Sequence, residues 1–281
     1  MYQIVKKRVL NPTVTLMEVS APHIAKKALP GQFIILRIDE AGERIPLTVA
    51  GYDRKAGTIT IIFQKVGYTT ERLDKLEQGD SLLDFVGPLG VASEFAGMKK
   101  VAVVGGGLGV AIAYPQAKAL YELGAEVDLF VGFRNRDLII LEEELAAAST
   151  ELIVMTDDGS NGKKGFVTDG LAQKLQSGKD YDTVIAIGPL VMMKAVCDLT
   201  RERGIHTIVS MNTTMIDGTG MCGCCRLTVG GKTKFACVDG PDFDGHQVDF
   251  TEALARSRMF HKEEAAIIEH NCRLTGGANN G

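Results

Sequence analysis

The sequence lacks a strong charge of either sign and has no long hydrophobic run. Lys and Arg together number 31 and Asp and Glu number 35, so the formal net charge is −4. A surface for nucleic acid or anionic lipid would need a basic excess, and we therefore expect neither partner. A membrane-spanning helix needs roughly 18 apolar residues in succession. Because no run is that long, we expect no membrane segment.

A signal peptide and a histidine-based catalytic site are also missing from the pattern. The first ten residues alternate as a strand would and show no apolar signal-peptide core. Nothing else marks the chain as secreted, so we expect a cytoplasmic protein with reduced thiols. The five histidines are scattered along the chain at His23, His206, His246, His261 and His270. General acid–base catalysis by a histidine constellation is therefore not indicated.

What the sequence has instead is a group of cysteines in a glycine-rich segment. Four of its six cysteines fall between residues 222 and 237. With an upstream aspartate they form the pattern Asp-x4-Cys-x2-Cys-x11-Cys, which is the spacing of plant-type 2Fe-2S proteins with a carboxylate in place of the first thiolate. The fourth ligand would arrive from the far strand of a short hairpin, whose strands are predicted at 227–229 and 235–236 around residues 230–231. The predicted ligands are Asp217, Cys222, Cys225 and Cys237.

Other interpretations of the same cysteines stay open at this point. A structural zinc ion could take one Asp and three Cys, although zinc ribbons usually bring two compact Cys-x2-Cys knuckles and this chain has one. Disulfides are disfavoured because the adjacent Cys224 and Cys225 bridge poorly. Cys224 lies outside the ligand pattern, and it could also displace one of the four predicted ligands.

The chain divides into parts of different texture. Residues 1–96 carry short alternating or β-branched runs between Pro and Gly turns, which predicts an antiparallel β-barrel. From residue 99, apolar strands alternate with helical segments, which predicts a doubly wound parallel sheet in an α/β domain. The predicted organisation is a barrel at 1–96, an α/β domain at 97–210, a cluster-binding subdomain at 211–250 and a helical tail at 251–281.

A candidate cofactor surface lies in the barrel at residues 44–48, Arg-Ile-Pro-Leu-Thr. An arginine suits a pyrophosphate, an apolar face suits an aromatic ring system, and the Thr48 hydroxyl or amide can bond a ring nitrogen. Gly-Tyr-Thr-Thr at 67–70 adds amides and hydroxyls before a helix start, an arrangement that binds anions. Taken alone, Arg44 could equally begin an ordinary surface strand.

A glycine-rich turn between an apolar strand and a helix predicts a nucleotide site. Its glycines allow a tight turn and let a pyrophosphate approach the helix N-terminus. They are Gly105, Gly106, Gly107 and Gly109. The spacing departs from Gly-x-Gly-x-x-Gly, so a plain strand-to-helix turn is the alternative. Arg134, after the second strand, suits a 2′-phosphate or adenine, and equally a solvated helix start. The sequence thus leaves the choice between NAD(H) and NADP(H) open.

Taken in order, residues 30–33, 44–48, 67–70 and 87–90 resemble the ferredoxin-NADP reductase superfamily. The resemblance implies FAD in the barrel, with the reactive flavin nitrogen near Thr48, which would be the catalytic residue. The remaining FAD-binding residues that it implies are Arg44, Pro46, Leu47, Gly67, Thr69 and Thr70. Leu47 stands where many relatives carry Tyr. Superfamily members also carry a later Gly-Pro turn in the NAD(P) domain, which Gly188 and Pro189 match.

Barrel, nucleotide domain and 2Fe-2S hairpin in this order resemble two groups within that superfamily. Electron-transfer subunits of dihydroorotate dehydrogenase normally have four cysteines at the cluster. Small subunits of NADH-dependent ferredoxin:NADP oxidoreductases, also described as sulfide dehydrogenases, match better at Asp217 and at residues 234–241. This resemblance implies electron transfer between NAD(H), FAD and a 2Fe-2S cluster. It also implies a larger flavin and 4Fe-4S partner, in an electron-bifurcating complex that uses ferredoxin.

Three further hypotheses are kept beside this one. The chain could be an electron carrier or regulatory subunit without nucleotide binding, a zinc-stabilised binding module, or a subunit of a sulfide- or polysulfide-linked NADPH oxidoreductase. Helical patterns near residues 252–255 and 263–269 predict a tail that either clasps the partner or packs on its own chain.

Overall fold

The computed structural model describes residues 1–259, and the predicted helix near 263–269 lies outside this range. The first part of the chain is a nearly closed antiparallel barrel sheet of seven strands in the order β6-β1-β2-β5-β4-β3-β7. The strands are β1 (Tyr2–Asn11), β2 (Val14–Ser20), β3 (Phe33–Arg37), β4 (Ile45–Asp53), β5 (Thr58–Gln64), β6 (Ser81–Leu82) and β7 (Asp84–Leu89). Two short helices, α1 (Pro22–Ala25) and α2 (Tyr68–Asp74), accompany them.

The second part is a six-stranded sheet flanked by helices. Its strands are β8 (Lys100–Gly106), β9 (Glu126–Phe133), β10 (Glu151–Thr156), β11 (Thr183–Ile187), β12 (His206–Ser210) and β15 (Asp242–Asp244), in the order β10-β9-β8-β11-β12-β15. All neighbours pair in parallel except β12 and β15. The helices are α3 (Gly109–Glu122), α4 (Glu142–Ala147), α5 (Val167–Gln176) and α6 (Leu190–Arg201).

A small hairpin and two helices complete the described chain. Strands β13 (Arg226–Val229) and β14 (Lys232–Phe235) form the cluster hairpin, followed by α7 (Ala236–Asp239) and α8 (Phe250–Ser257). Both residues of its turn, Gly230 and Gly231, have positive φ (57° and 72°), as a two-residue turn with the twist of a β-hairpin requires. The second strand lies at 232–235 rather than at the predicted 235–236.

The predicted fold class is confirmed: an antiparallel barrel is followed by a parallel α/β sheet and a small C-terminal hairpin. One core cluster joins the three parts, because Phe33 and Ile35 of the barrel pack with Val104 of the parallel sheet and with Leu227 of the hairpin. Strand β15 comes from the predicted cluster subdomain and extends the sheet of the nucleotide domain. None of the helices within residues 1–259 is long and apolar enough to cross a membrane.

Candidate redox site

Three of the four predicted cluster ligands lie on a loop that is seated directly on the barrel, whereas the fourth, Cys237, lies in α7 and not in the far strand of the hairpin as predicted. This loop, residues 216–225, precedes the cluster hairpin and is called the cluster loop below. At Gly218, φ is +82°, and a Cβ would lie 2.5 Å from Cδ1 of Ile35 and 3.1 Å from Cδ1 of Leu89. Only glycine fits both this backbone conformation and this close approach. The loop backbone at Gly218 therefore packs directly against the side chains of Ile35 in β3 and Leu89 in β7.

The four predicted donors form two pairs. The Sγ atoms of Cys225 and Cys237 are 3.2 Å apart and both residues are buried. Cys222 is exposed, and backbone amides of Cys224 and Asp217 lower the pKa of its thiol. Burial and the neighbouring Cys225 thiol raise the pKa of Cys237. The structure thus brings together the buried sulfurs of Cys225 and Cys237. The Cys222 thiol lies beside the backbone of Asp217 and forms the second pair with that residue.

Asp217 is oriented by its own loop and by the barrel. Its carboxylate accepts hydrogen bonds from the hydroxyl and the amide of Thr219, the latter at 2.9 Å, and these bonds lower the pKa of Asp217. The charge of Arg44 lowers it further, which places this predicted FAD ligand near the cluster loop. The carboxylate is therefore held in its charged form, the form in which it could act as an iron ligand.

The donor set fits a 2Fe-2S cluster. Within residues 1–259, no three His, Cys, Asp or Glu side chains are grouped closely enough to hold one metal ion. The two pairs of donors are Asp217 with Cys222 and Cys225 with Cys237. They match a cluster in which each of two irons takes two protein ligands. Glycines at 218, 220 and 223, all with positive φ, shape the loop between them.

The register of the barrel strands decides which residues of segment 44–48 face the cluster loop. Pro46 pairs with Ile35 and Thr48 with Phe33, whereas Leu47 pairs with Ile34. Directly paired residues share a face of the sheet. Since Ile35 meets the cluster loop, Pro46 and Thr48 lie on that side. Leu47 packs against the interior core of the barrel instead. Its side chain is not on the surface predicted for the flavin, because successive strand residues point to opposite faces.

The predicted pyrophosphate loop has its hydroxyls engaged within the protein. The Thr70 hydroxyl accepts hydrogen bonds from the amides of Val66 (3.0 Å) and Gly67 (3.1 Å), and the Thr69 hydroxyl donates to the carboxylate of Glu43. The groups left to bind an anion here are the first backbone amides of α2, which have no intrahelical acceptor. The roles of Gly67, Thr69 and Thr70 in FAD binding stay predictions.

The two predicted nucleotide-binding turns lie side by side. A Cβ on Gly188 would be 3.1 Å from the amide nitrogen of Gly106, and one on Gly109 would be 2.4 Å from the carbonyl oxygen of Ile187. Pro189 follows Gly188 and precedes α6. These turns end β8 and β11, between which the strand order reverses. Ligands of open α/β sheets bind at such a reversal.

Arg134, predicted as a nucleotide-binding residue, and the nearby Asp158 lie at the same edge of the parallel sheet as these turns. Arg134 directly follows β9, is exposed, and accepts a hydrogen bond at its carbonyl from the amide of Asp158 (3.3 Å). The Asp158 carboxylate accepts from the amide and hydroxyl of Ser160, which lowers the pKa of Asp158. Asp158 therefore shapes its own turn, and Arg134 is the side chain that projects next to it.

Asp242 is a buried polar residue that the sequence analysis missed. Its carboxylate accepts hydrogen bonds from Ser93 (2.5 Å), which lies between the barrel and the second sheet, and from Gln116 of α3 (3.2 Å). Burial raises the pKa of the Asp242 carboxyl. The partners lie 149 and 126 residues away along the chain. No local pattern could have indicated this contact.

Comparison with known proteins identifies two parts of the chain. Residues 103–198 match the model of the oxidoreductase NAD-binding domain, and residues 212–249 match the iron-sulfur cluster binding domain of dihydroorotate dehydrogenase B. A Thermotoga maritima protein named dihydroorotate dehydrogenase B (NAD(+)), electron transfer subunit homolog is 44% identical, with 98% of this chain and 96% of that protein covered. An uncharacterized protein in the adh 3′ region of Clostridium beijerinckii is 52% identical, with coverages of 99% and 98%.

A solved structure extends the similarity to three dimensions. It is described as giving insights into flavin-based electron bifurcation via the NADH-dependent reduced ferredoxin-NADP oxidoreductase structure. The TM-score is 0.91 at 43% identity, and the match covers 96% of this chain and 97% of that one.

Fold, nucleotide turns and cluster loop together define an electron-transfer oxidoreductase of the ferredoxin reductase class. More specifically, the chain belongs to the family of the dihydroorotate dehydrogenase B electron transfer subunits and their homologues. The predicted family, the redox activity and the cofactors (FAD, NAD(H) and a 2Fe-2S cluster) are thereby confirmed. Several proteins of this family are named as electron transfer subunits.

Proposed function

We propose that this chain passes electrons between NAD(H), FAD and its 2Fe-2S cluster, and exchanges them with a larger flavin and 4Fe-4S subunit of a bifurcating ferredoxin:NADP oxidoreductase. The observation that carries the proposal is the contact of Gly218 with Ile35, whose strand neighbour is Pro46. Electron transfer between a flavin and a cluster needs the two sites close together, and this contact seats the cluster loop on the strand that pairs with the predicted flavin surface.

FAD, when bound, accepts two electrons as a hydride from a nicotinamide and releases them one at a time, which is why it suits a site between NAD(H) and an iron-sulfur centre. The residues of the chain bind and orient. Thr48 offers a hydroxyl on the side of β4 that faces the second domain. The turns at Gly106 and Gly188 admit a dinucleotide. Buried Cys225 and Cys237 keep two sulfurs away from water.

The choice of partner rests on the relative whose structure is described as an NADH-dependent reduced ferredoxin-NADP oxidoreductase. Asp217 in the ligand pattern supports the same choice. We place the complex in the cytoplasm, where the free thiols of this chain would stay reduced.

The test is anaerobic titration of the purified full chain, loaded with FAD, by NADH and by NADPH. Bleaching of the flavin absorbance followed by the paramagnetic signal of a reduced 2Fe-2S cluster is the expected result. Iron and acid-labile sulfide should be found in equal amounts, without zinc. Absence of bleaching with either nucleotide would leave an electron carrier or regulatory subunit, and zinc without iron would leave a binding module.

A second candidate is the electron-transfer subunit of a dihydroorotate dehydrogenase, which the names of several relatives favour. One from Methanopyrus kandleri is 37% identical over 79% of this chain and 82% of its own length. Co-purification of the native complex separates the candidates. A complex that reduces NAD+ with dihydroorotate would support this second function, and one that couples NADP(H) to ferredoxin would support the first. Turnover of polysulfide with NADPH by the same complex would support a sulfide-linked oxidoreductase.

A further inference from the structure

Helix α8 is fastened to the cluster hairpin along one of its faces. Asp249 caps the helix by accepting from the amides of Thr251 (2.9 Å) and Glu252 (3.0 Å). The Glu252 carboxylate accepts from the amide of Thr228 in β13 at 3.0 Å, and the Asp249 amide donates to the Thr228 carbonyl at 2.9 Å. Ala253 is buried in the core cluster that contains Cys225. The helix is thus a fixed support for the hairpin.

The same helix reaches the cluster loop one turn further on. Arg256 follows Glu252 by four residues, so both side chains lie on one face. Its guanidinium donates to the carbonyl oxygen of Cys224 at 2.9 Å. Arg256 also lines a cavity of about 260 Å³ together with Cys222 and Cys224. A permanent positive charge is therefore bonded to the backbone between two predicted ligands, Cys222 and Cys225.

This hydrogen bond constrains the peptide unit that joins Cys224 to Cys225. In a planar trans peptide the N–H points away from the C=O. A guanidinium that fixes the Cys224 carbonyl therefore also fixes the direction of the Cys225 amide. The backbone amide of Cys224, on the other side of the same residue, lies beside the Cys222 thiol. Hydrogen bonds to sulfur and nearby charge are two of the factors that set the reduction potential of an iron-sulfur cluster.

We propose that Arg256 is a positioning residue that holds the cluster loop in its ligating conformation and raises the reduction potential of the cluster. The inference rests on the ligand set of the proposed function. Reduction adds negative charge to the cluster, and a neighbouring guanidinium stabilises that charge. Helix α8 therefore has two roles, because Glu252 secures the hairpin whereas Arg256 acts on the centre that the hairpin carries.

The experiment compares Arg256→Gln, Arg256→Lys and Arg258→Gln in the full FAD-loaded chain. Arg258 is exposed at the C-cap of the same helix, so its removal changes the net charge equally without touching the loop. The readouts are iron and sulfide content, the paramagnetic spectrum of the reduced cluster, and its midpoint potential by anaerobic titration. Arg256→Gln should lower the potential by the equivalent of roughly a threefold to tenfold shift in the equilibrium, where tenfold is 59 mV for one electron. Arg258→Gln should leave it unchanged.

Each other outcome is decisive. Equal shifts in Arg256→Gln and Arg258→Gln would mean that only net charge matters, and an unchanged potential in an iron-loaded Arg256→Gln chain would overturn the proposal. If Arg256→Gln loses its iron, the proposal is tested with Arg256→Lys, which keeps a positive charge at this position. A changed spectrum at a nearly normal potential supports the proposal, while a spectrum and potential identical to wild type reduce Arg256 to a helix anchor. A wild-type chain without iron and sulfide would instead refute the proposed function itself.

Discussion

The amide of Val91, just beyond the barrel, donates to the carbonyl of Gly240, just beyond α7, at 2.7 Å. Two residues further along each segment, Ser93 donates to Asp242. The segment that follows the barrel and the segment that follows α7 are therefore joined by two neighbouring hydrogen bonds. The second of them ends on a buried carboxylate, and this arrangement makes the stability of the chain depend on pH.

Asp242→Asn should become more stable relative to wild type as the pH rises. Burial raises the pKa of Asp242, so the folded chain binds this proton more tightly than the unfolded chain. The stabilisation that protonated Asp242 provides is fully present below the pKa that this carboxyl has in the unfolded chain. It is lost as the pH rises through the pKa that the carboxyl has in the folded chain. We expect the unfolding free energy of Asp242→Asn to rise relative to that of wild type between acid and neutral pH.

Chemical denaturation at several pH values measures this change, and Glu202→Gln, an exposed carboxylate, is the control. A difference between wild type and Asp242→Asn that does not vary with pH would contradict the expectation.

Gly218→Ala should destabilise the chain more than Gly97→Ala. Both glycines have nearly the same φ (+82° and +83°), so the backbone strain of alanine is matched. Around Gly97 no other described atom lies within 4 Å of the added Cβ, whereas at Gly218 it meets Ile35. The close contact should cost roughly 1–3 kcal/mol beyond the shared strain. Thermal unfolding of the two variants gives this difference, and electron transfer from reduced FAD to the cluster should slow only in Gly218→Ala.

Asp217→Ala should lose most of its cluster while FAD stays bound, because a predicted iron ligand is removed from the cluster loop whereas the predicted FAD-binding residues lie in the barrel. Cys224→Ala is the matched control, since Cys224 lies in the same loop but outside the ligand pattern. Iron, sulfide and flavin content measure both variants. Iron retained in Asp217→Ala and lost in Cys224→Ala would show that Cys224 is the ligand instead.

Gly109→Ala should weaken binding of the nicotinamide nucleotide without affecting FAD. The added Cβ would lie 2.4 Å from the Ile187 carbonyl oxygen, so the first turn of α3 must move away from β11. We expect the dissociation constant for NADH to rise by about tenfold, which corresponds to about 1.4 kcal/mol. Titration calorimetry of the full chain measures it. Unchanged NADH affinity would place the nucleotide elsewhere.

The fold could be predicted because it depends on repeating local patterns. The five predicted parallel strands lie within β8, β9, β10, β11 and β12, since apolar runs between helical segments determine such strands. The cluster hairpin was predicted from Gly230 and Gly231, although the extent of its second strand was not.

The features that could not be predicted concern residues whose environment is set by distant segments. The orientation of Leu47 follows from the register of β4 against β3, and that register is not visible in a five-residue motif. Likewise, no local pattern connects Asp242 with Ser93, or Arg256 with Cys224, because each pair meets only after the chain has folded. Of the two alternatives for the tail, the structure shows the described helix α8 packed on its own chain.

Strand β15 lies at the edge of the nucleotide domain's sheet although it follows the iron-binding segment in the chain. During synthesis on the ribosome, one edge of β12 therefore stays unpaired until residue 244 has emerged. By then every predicted iron ligand has already left the exit tunnel. The predicted iron ligands are thus all synthesised before the nucleotide sheet can be completed, and a chain truncated before residue 242 would leave β12 open to aggregation.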